Sequence, residues 1–407
     1  MIAWNVAGLI PKLSDRDFVE YLHLFDIILM TETHATYSFD HNIKFADYTC
    51  TQLQATRVHN IGQPMGGVAL LVKKSLSGHV VAKVKTEENI IECEFDKKLW
   101  GLDKNVILLA TYVHPVDSKF YHDKEYSSTL ENIDEHIMKD IDEGRIVHYV
   151  IAGDLNSRIG TWEYQQIDDT DDDSYIHKQQ ETYYRHAVDD TTNKFGRQLI
   201  ELCICHGLVP LNGLKDKAFD GSFTYMSSRG NSTIDLYICS EDIIDVFKEL
   251  KVHTRIESDH LPVVARLGPY KKVENTWKPK TQTDKLVWDK DKSKEFKDFF
   301  EKPETTAKLD DIKQMTENNI DDSIKAFTEL MKQAGEHMTK TVRSGGRPRK
   351  TNCKWYDDEC SNSKKEAQSA LRELRTATQY KHDNLDEIRT NYINKRNQYK
   401  SLSLIHI

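Results

Sequence analysis

The sequence has no long apolar run and no regular cysteine framework. Its longest apolar runs, such as residues 68–72 and 106–110, have the length of β-strands, whereas a membrane-spanning helix needs roughly 20 apolar residues. We therefore expect no membrane partner. The seven cysteines include no Cys-x-x-Cys pair, which predicts reduced thiols in an intracellular protein rather than a disulfide scaffold.

The charge is unevenly distributed along the chain. Residues 1–270 carry 27 basic and 42 acidic side chains, and the remainder carries 29 basic and 23 acidic ones. An acidic front region does not bind a polyanion by bulk charge, but it suits metal-binding carboxylates that work with bound cations and local basic loops. The basic second part is explained equally well by nucleic-acid binding and by a solvated helical face, so charge alone decides nothing.

Residues 1–268 alternate short β-rich runs with helical patterns, which predicts mixed β-sheets packed together with helices outside. Strands are predicted at residues 2–6, 27–31, 67–72, 89–95, 106–113, 148–152, 223–226, 233–239 and 263–267. Helices are predicted near residues 15–24, 126–142, 193–206 and 240–250.

The composition changes after residue 268. Residues 269–350 are predicted to be a polar and basic linker region with short helices, and residues 351–400 a charged helical connector. The thin apolar stripe of that connector predicts docking onto a neighbour rather than an independent core. Residues 401–407 break the charged pattern, and we expect a truncated or non-native tail there.

Polar side chains that suit phosphodiester hydrolysis follow several of the predicted strands. Such a reaction needs a metal to neutralise the phosphoryl oxygens, a base for the attacking water and a group that assists the departing oxygen. The strand-end candidates are Asn5, Glu32, Tyr112, Asp154, Asn156, Asp235, Asp259 and His260. Asp235 lies within a strand, where an unpaired carboxylate is costly to bury, and His260 is an available partner.

In this order the motifs resemble the endonuclease/exonuclease/phosphatase superfamily, which includes pancreatic-type deoxyribonucleases, abasic-site repair endonucleases, inositol polyphosphate 5-phosphatases and neutral sphingomyelinases. The motifs are Trp4-Asn5-Val6-Ala7-Gly8, Thr31-Glu32-Thr33, Thr111-Tyr112, Gly153-Asp154-Leu155-Asn156, Ile234-Asp235 and Ser258-Asp259-His260. The resemblance implies an α/β fold, a four-layer sandwich of two mixed β-sheets flanked by helices over residues 1–268, followed by a mainly helical C-terminal extension.

The resemblance also implies a role for each site residue. Glu32 would be the principal ligand of Mg²⁺, with Mn²⁺ as an alternative ion, and Asn5 and Asp259 would lie near the same ion. His260, oriented by Asp235, would activate or position the attacking water. Asp154 would handle the proton or the metal on the leaving-group side, and Asn156 and Tyr112 would contact the phosphate. The sequence leaves open whether His260 or Asp154 is the base.

Within the superfamily, the chain is similar to the endonuclease of LINE-type non-LTR retrotransposons. The similarity rests on the extended run at residues 153–160, on residues 193–199 leading into 207–213, and on Trp355-Tyr356-Asp357-Asp358-Glu359-Cys360 before a Lys/Arg-rich helix. That tail resembles the connector that precedes reverse transcriptase in these elements. It implies DNA as substrate, element RNA as a partner through a downstream region, and a nuclear location at least transiently.

Three other readings remain open at this stage. An abasic-site DNA repair endonuclease would share the same site, although such enzymes usually end near the Ser-Asp-His strand. An inositol or lipid phosphatase of the same fold is chemically allowed but gains no support from the tail. A catalytically dead nucleic-acid-binding relic would have lost Glu32, Asp154 or His260, and all three are present.

Overall fold

A computed structural model of the chain describes residues 1–57, 63–85, 89–115, 118, 129–161, 163–165, 182–268, 283–286, 293–318, 320–335, 339–342, 358–380 and 382–405. The strands in these ranges are β1 Ile2–Asn5, β2 Ile27–Thr31, β3 Tyr48–Leu53, β4 Val68–Lys73, β5 Val80–Lys85, β6 Ile90–Phe95, β7 Asn105–Tyr112, β8 Val147–Asp154, β9 Glu163–Gln165, β10 Thr182–Tyr184, β11 Leu208–Pro210, β12 Tyr225–Ser227, β13 Gly230–Ser232, β14 Asp235–Ser240, β15 Phe247–Val252, β16 Val263–Leu267, β17 Thr283–Leu286 and β18 Thr339–Val342. The α-helices are α1 Arg16–Leu22, α2 Asn42–Phe45, α3 Thr129–Asp142, α4 Lys194–Cys205, α5 Ser293–Phe300, α6 Pro303–Asn318, α7 Ile320–Ala334, α8 Asp358–Gln379 and α9 Leu385–Ile405.

Two six-stranded mixed sheets form the centre of the structure. The first has the order β15-β16-β1-β2-β4-β3, and the second has the order β11-β14-β8-β7-β6-β5. Each sheet contains one parallel pair, β1 with β2 and β7 with β8, and the other pairs are antiparallel. The parallel pairs bring the carboxyl ends of four strands to the same edge of the sandwich.

Alternate residues of the central strands enter different apolar layers, as the period of two along a strand requires. In β2, Leu29 packs between the two sheets, while Ile28 packs against Phe18 of α1 on the outer face of the first sheet. In β7, Leu108 lies between the sheets and Leu109 packs in the layer that contains α3 and α4. The predicted four-layer sandwich of two mixed sheets flanked by helices is confirmed.

Local signals define the helices that cover the sheets. The side chain of Asp15 accepts hydrogen bonds from the backbone N–H of Asp17 and Phe18 at 2.9 and 3.3 Å, and so caps the start of α1. Asn193 caps α4 by accepting from the N–H of Gly196 at 2.6 Å. Such caps satisfy N–H groups that have no partner inside the helix, which explains why both helices begin where the sequence predicts.

Residues 240–250 differ from the sequence-based expectation of a helix. A short 3-10 helix covers Glu241–Val246, and β15 follows at once. Leu250 and Val252 of β15 are buried while Lys248 and Lys251 are exposed. The antiparallel partner β16 supplies the backbone hydrogen bonds of this segment, so pairing with a distant strand overrides a pattern that also suits a helix.

The chain divides into two compact units, one of residues 1–271 with 354–407 and the other of residues 272–353. The second unit contains α5, α6 and α7 and the antiparallel pair β17–β18. In its described part, the region predicted as a linker with short helices is therefore folded. Its helices α6 and α7 pack against each other. Its remaining residues, and residues 351–357 of the predicted connector motif, lie outside the described part.

The C-terminal helices α8 and α9 pack as a hairpin that belongs to the first unit. Leu371 and Leu374 of α8 and Tyr392 of α9 are buried in the same apolar cluster that fills the space between the sheets. Helix α9 continues to Ile405, so residues 401–405 of the predicted tail are part of a helix. No helix in the described part of the chain is long and apolar enough to cross a membrane.

One buried lysine joins this hairpin to the front of the molecule. The ammonium of Lys364 on α8 lies 3.1 Å from a carboxylate oxygen of Asp15, 2.8 Å from Asp17 and 3.0 Å from Glu257. Its side chain is only 5% exposed. Burial raises the pKa of Glu257, but the charges of Lys364 and Arg255 outweigh burial and hold that pKa below its usual range. A buried carboxylate of this kind stabilises the fold only while its cationic partners stay in place.

We expect Lys364→Met to lower the free energy of unfolding by about 3 kcal/mol at pH 7, because it leaves Glu257 with less compensation for its buried charge. The depressed pKa of Glu257 means that this stabilisation is present above the carboxyl's unfolded pKa and is lost as the pH falls through the folded value. The difference from the wild type should therefore shrink below about pH 4. Urea denaturation at pH 7 and below about pH 4 measures the difference in the free energy of unfolding.

The exposed neighbour Lys365 provides the matched control on the same helix. Lys365→Met should change stability by less than about 0.5 kcal/mol. Equal losses for the two variants at pH 7 would contradict the role given to Lys364.

Candidate active site

Four of the predicted residues stand at the carboxyl ends of the parallel strand pairs. Asn5 ends β1 and Glu32 follows β2, while Tyr112 and Asp154 end β7 and β8 opposite each other. Asp235 begins β14 and pairs in register with Asp154. The sheet topology therefore gathers at one edge side chains that are up to 230 positions apart in sequence.

A buried histidine–carboxylate pair lies at the centre of this edge. His260 Nδ1 is 2.8 Å from Asp235 Oδ2, and both side chains are buried. The other ring nitrogen, Nε2, lies 3.3 Å from Asn5 Nδ2 and 3.9 Å from Asp154 Oδ2. Burial lowers the pKa of His260, but Asp235 and Asp154 outweigh burial and raise that pKa above its usual range. The ring is thus fixed by Asp235 with Nε2 directed toward Asp154.

Asp154 is held by backbone and side-chain donors from both sheets. Its Oδ2 accepts a hydrogen bond from Asn5 Nδ2 at 2.8 Å, and its Oδ1 accepts from the backbone N–H of Asn156 at 3.1 Å. Burial raises the pKa of Asp154 well above its usual range, against the opposing effect of His260. The Nδ2 of Asn156 donates to the carbonyl of Val113 at 2.7 Å, which fixes this amide beside the carboxylate.

Glu32 is an ionised carboxylate on the facing strand end. Tyr112 Oη donates to Glu32 Oε1 at 2.7 Å, and His34 Nε2 lies 3.5 Å from Oε2. Burial raises the pKa of Glu32, but the hydrogen bond from His34, the charge of His260 and the hydrogen bond from Tyr112 outweigh it and lower the pKa to about 2. Glu32 therefore carries its charge across the whole physiological pH range.

Backbone conformation is unusual around these strand ends. Ala7, Glu32, His34 and Asn156 have φ values of +43°, +47°, +53° and +47°. Left-handed backbone costs a non-glycine residue about 1 kcal/mol or more and persists where the surroundings over-determine it. Here the hydrogen bonds of the strand ends hold the four residues in place, so the loops that present the site are tightly specified.

Asp259 is placed differently from the other predicted ligands. Its side chain is 34% exposed, and its Oδ1 lies 3.8 Å from Arg396 Nη2 on α9. Among the described residues, the carboxylates and histidines close enough to share one ion are Asp154, Asp235 and His260. Glu32 and Asp259 are not in that close group, and the set of Glu32, Asn5 and Asp259 as ligands of one ion stays a prediction.

The donor chemistry of the edge nevertheless fits a hard divalent cation. Glu32 offers an ionised carboxylate with 23% of its side chain exposed, and Asp154 and Asp259 offer further carboxylate oxygens. Mg²⁺ and Ca²⁺ take oxygen ligands, and Mg²⁺ in particular is bound through one or two carboxylates together with substrate oxygens. Asp235 is less suited to this role because its Oδ2 already orients His260.

Three residues that are not among the predicted site residues also contribute to the site. His34 contacts Glu32, and the ring of His114 lies edge-on to Tyr112 with centroids 4.8 Å apart. Tyr225 places its ring 4.8 Å from that of His260. The Thr-Glu-Thr-His run was a local signal for His34, whereas Tyr225 is brought in by a β-bridge to His260 that no local pattern reveals.

Part of the chain is similar to a known protein family. Residues 106–264 match the model of the family described as endonuclease-reverse transcriptase. Over this segment the match agrees with the resemblance that the motifs predicted. No curated protein matches the chain.

Solved structures with similarity to the chain include nucleases of several kinds. The AP endonuclease LMAP from Leishmania major aligns with a TM-score of 0.47 and 14% identity, over 66% of this chain and 87% of its own. The endonuclease domain of TRAS1, a telomere-specific non-LTR retrotransposon, aligns at 0.40 and 16%, over 66% and 98%. An AP endonuclease from Archaeoglobus fulgidus aligns at 0.42 and 16%, over 65% and 98%. Identities this low leave the residue roles to the geometry of the site itself.

The close approach of β7 and β8 should make Gly153 irreplaceable. A Cβ at Gly153 would overlap the carbonyl oxygen of Thr111 on β7, so Gly153→Ala must push apart the strands that carry Tyr112 and Asp154. We expect a loss of more than about 4 kcal/mol in the free energy of unfolding, beyond the usual range for one substitution, measured by chemical denaturation.

Gly230 is a matched control because it has the same φ of +141° and a Cβ there would meet no atom within 4 Å. Gly230→Ala therefore carries the backbone strain alone, about 1–3 kcal/mol. Similar losses in the two variants would show that strand separation at Gly153 is not the dominant effect.

Proposed function

We propose that the chain is a Mg²⁺-dependent phosphodiesterase that nicks one strand of DNA. The observation that carries the proposal is the contact between His260, fixed by Asp235, and the buried Asp154, beside the ionised Glu32. A proton acceptor, an orienting carboxylate and an anionic metal ligand are the parts that metal-assisted attack of water on a phosphodiester requires.

The contacts of each site residue indicate its role. Asp235 keeps the His260 ring in one orientation, so that Nε2 faces Asp154. The proton of the attacking water passes either to His260 or to Asp154, and the other of these two residues stabilises the charge that results. Asn5 links the two by its amide, and the fixed amide of Asn156 lies next to Asp154 to contact a phosphate oxygen.

Glu32, with Asn5 and Asp259 nearby, is proposed to hold the cation. A bound Mg²⁺ supplies neutralisation of the charge on the phosphoryl oxygens. Tyr112 and His34 orient the Glu32 carboxylate by their contacts with its two oxygens, and Mn²⁺ suits the same oxygen donors.

We further propose that the nick serves target-primed retrotransposition. Support comes from the family match over residues 106–264 and from the helical extension that continues past the Ser-Asp-His strand as α8 and α9. Element RNA as a partner and a nuclear location belong to this proposal. Repair of abasic sites is the competing role, because it requires the same chemistry on a different DNA.

Nicking of supercoiled plasmid tests the chemistry. We expect the wild type to produce open circles with Mg²⁺ and none with EDTA, and Asp154→Asn and His260→Gln to slow nicking by at least about 100-fold, the usual worth of a proton-transfer group. Initial rates at saturating Mg²⁺ are the measurement. Activity that survives either substitution or EDTA would falsify the proposed chemistry.

The exposed His186 gives the matched control, since His186→Gln makes the same chemical change away from the strand-end edge. Its nicking rate should stay within about twofold of the wild type. A comparable loss there would point to a contaminating or unstable activity rather than to the proposed site.

An oligonucleotide duplex with a single abasic site separates the two roles. For target nicking, the rates on the abasic duplex and on the intact duplex should agree within about tenfold. A strong preference for the abasic strand would support repair and contradict the retrotransposition role, while leaving the hydrolytic mechanism in place.

A further inference from the structure

A cavity of about 470 Å³ lies beside the strand-end edge, between the loop that follows β1 and helix α9. The loop side contributes Ala7 and Lys12, the helix side contributes Arg396 and Lys400, and His34 lies between them. The cavity adjoins the site, because the N–H of Ala7 donates to Asn5 Oδ1 at 3.0 Å and His34 contacts Glu32. Helix α9 therefore forms a wall next to the proposed catalytic centre.

Arg396 is the residue of this wall that needs a partner. It is 9% exposed, and among the described residues its Nε and Nη2 donate no hydrogen bond. The nearest carboxylate oxygen paired with it, Oδ1 of Asp259, is 3.8 Å from Nη2, which is beyond hydrogen-bond distance. A buried guanidinium with unused donors is costly unless an anion satisfies them, so its geometry points to an anionic ligand.

The charges around the cavity also favour an anion. Lys12 and Lys400 line it together with Arg396. Burial first, and then the like charges of Lys400 and Arg396, lower the pKa of Lys12 to about 8, against the opposing charges of Asp259 and Glu257. Lys12 itself donates to the carbonyls of Ala7 and Gly8 at 2.9 and 3.0 Å, which keeps its charge at the mouth of the loop.

Two carboxylates also line the cavity, and both are engaged elsewhere. Asp15 and Glu257 contact the ammonium of Lys364 at 3.1 and 3.0 Å, and Glu257 also pairs with Arg255. Their charge is thus matched on the side of α8. On the side of α9, the partly exposed Asp259 lies 3.8 Å from Arg396.

We propose that this cavity binds a phosphate group of the nucleic-acid substrate, adjacent to the phosphate group that is cleaved. Arg396 and Lys400 are its cationic ligands. The proposal rests on the proposed function for the identity of the substrate. Arg396 reaches the phosphate from its buried position beside Asp259, and Lys400, one turn further along α9, reaches it from the surface. The C-terminal hairpin is then part of the substrate-binding surface.

Salt-dependent DNA binding in EDTA tests the proposal without any cleavage. The probe is a fluorescein-labelled duplex of about 20 base pairs, and the variants are Arg396→Gln and Lys400→Gln. Each should weaken binding about tenfold, as expected for a charge-assisted hydrogen bond. Each should also reduce the slope of log K against log salt by about 0.9, the value for one lost phosphate contact.

Lys395→Gln is the matched control. Lys395 precedes Arg396 on the same helix, and its ammonium pairs with Glu366 of α8 at 2.6 Å. This variant should leave the slope unchanged. Because Lys400 is exposed, Lys400→Gln keeps the fold and decides the matter even if thermal melting shows that Arg396→Gln does not fold.

Three results would overturn the proposal. An unchanged slope and affinity in Lys400→Gln means that α9 does not contact the strand, and tighter binding by either variant means that the helix obstructs it. Titration calorimetry with sodium phosphate separates the sources of the anion. Phosphate binding that depends on Arg396 while DNA binding does not would assign the cavity to a free phosphate and overturn its role in strand binding.

The DNA-binding test of the phosphate site and the nicking assay of the proposed function can succeed or fail separately. If the wild type does not nick plasmid but shows the Arg396- and Lys400-dependent slope, the proposed function fails and the phosphate site stands. If the wild type nicks and Asp154→Asn does not, while both cation variants keep the wild-type slope, the function stands and the phosphate site fails.

Discussion

Three hydrogen bonds between side chains join the two β-sheets at the edge where their parallel strands end. Asn5 of the first sheet donates to Asp154 of the second, Tyr112 of the second donates to Glu32 beside the first, and the His260 ring, just before β16, pairs with Asp235 of β14. These groups are largely buried, so each depends on its partner to offset desolvation. The relative position of the sheets and the geometry of the site are therefore set by the same contacts.

The parts of the fold that the sequence predicts are those with strong local signals. Helices α1 and α4 have capping side chains and a regular apolar face, and strands β2, β7 and β8 are continuous apolar runs. The sequence predicts a helix where β15 lies, because its short alternation of buried and exposed residues fits both periods, and only pairing with β16 decides between them. The sequence does not predict strand β3, because threonine and glutamine separate its few apolar residues and no apolar run marks it.

Most of the predicted site residues lie at one edge of the structure, but the sequence does not give their geometry. The pairing of His260 with Asp235 follows from the cost of burying a lone carboxylate, and the structure places the two in hydrogen-bond contact. The placement of Asp259 beside Arg396 could not be anticipated, because it depends on how a helix more than 130 positions away packs. Contacts of that range depend on tertiary packing and leave no local pattern.

The C-terminal hairpin shows what the thin apolar stripe of the connector packs against. The stripe predicted docking onto a neighbour, and the neighbour is the core of the same unit, where Leu371 and Tyr392 join the cluster between the sheets. Lys364 then adds a buried charge contact with three carboxylates. Apolar burial provides the driving force for docking, and the charges specify the register in which the helix docks.

The order of the two units along the chain has a consequence for how this protein can vary. The chain leaves the first unit near residue 271 and returns to it near residue 354, so the second unit is an insertion within the sequence of the first. Insertions at such points are tolerated when the flanking elements keep their contacts. The second unit can thus change in length or be exchanged for another, provided that α8 and α9 still pack against the core of the first unit.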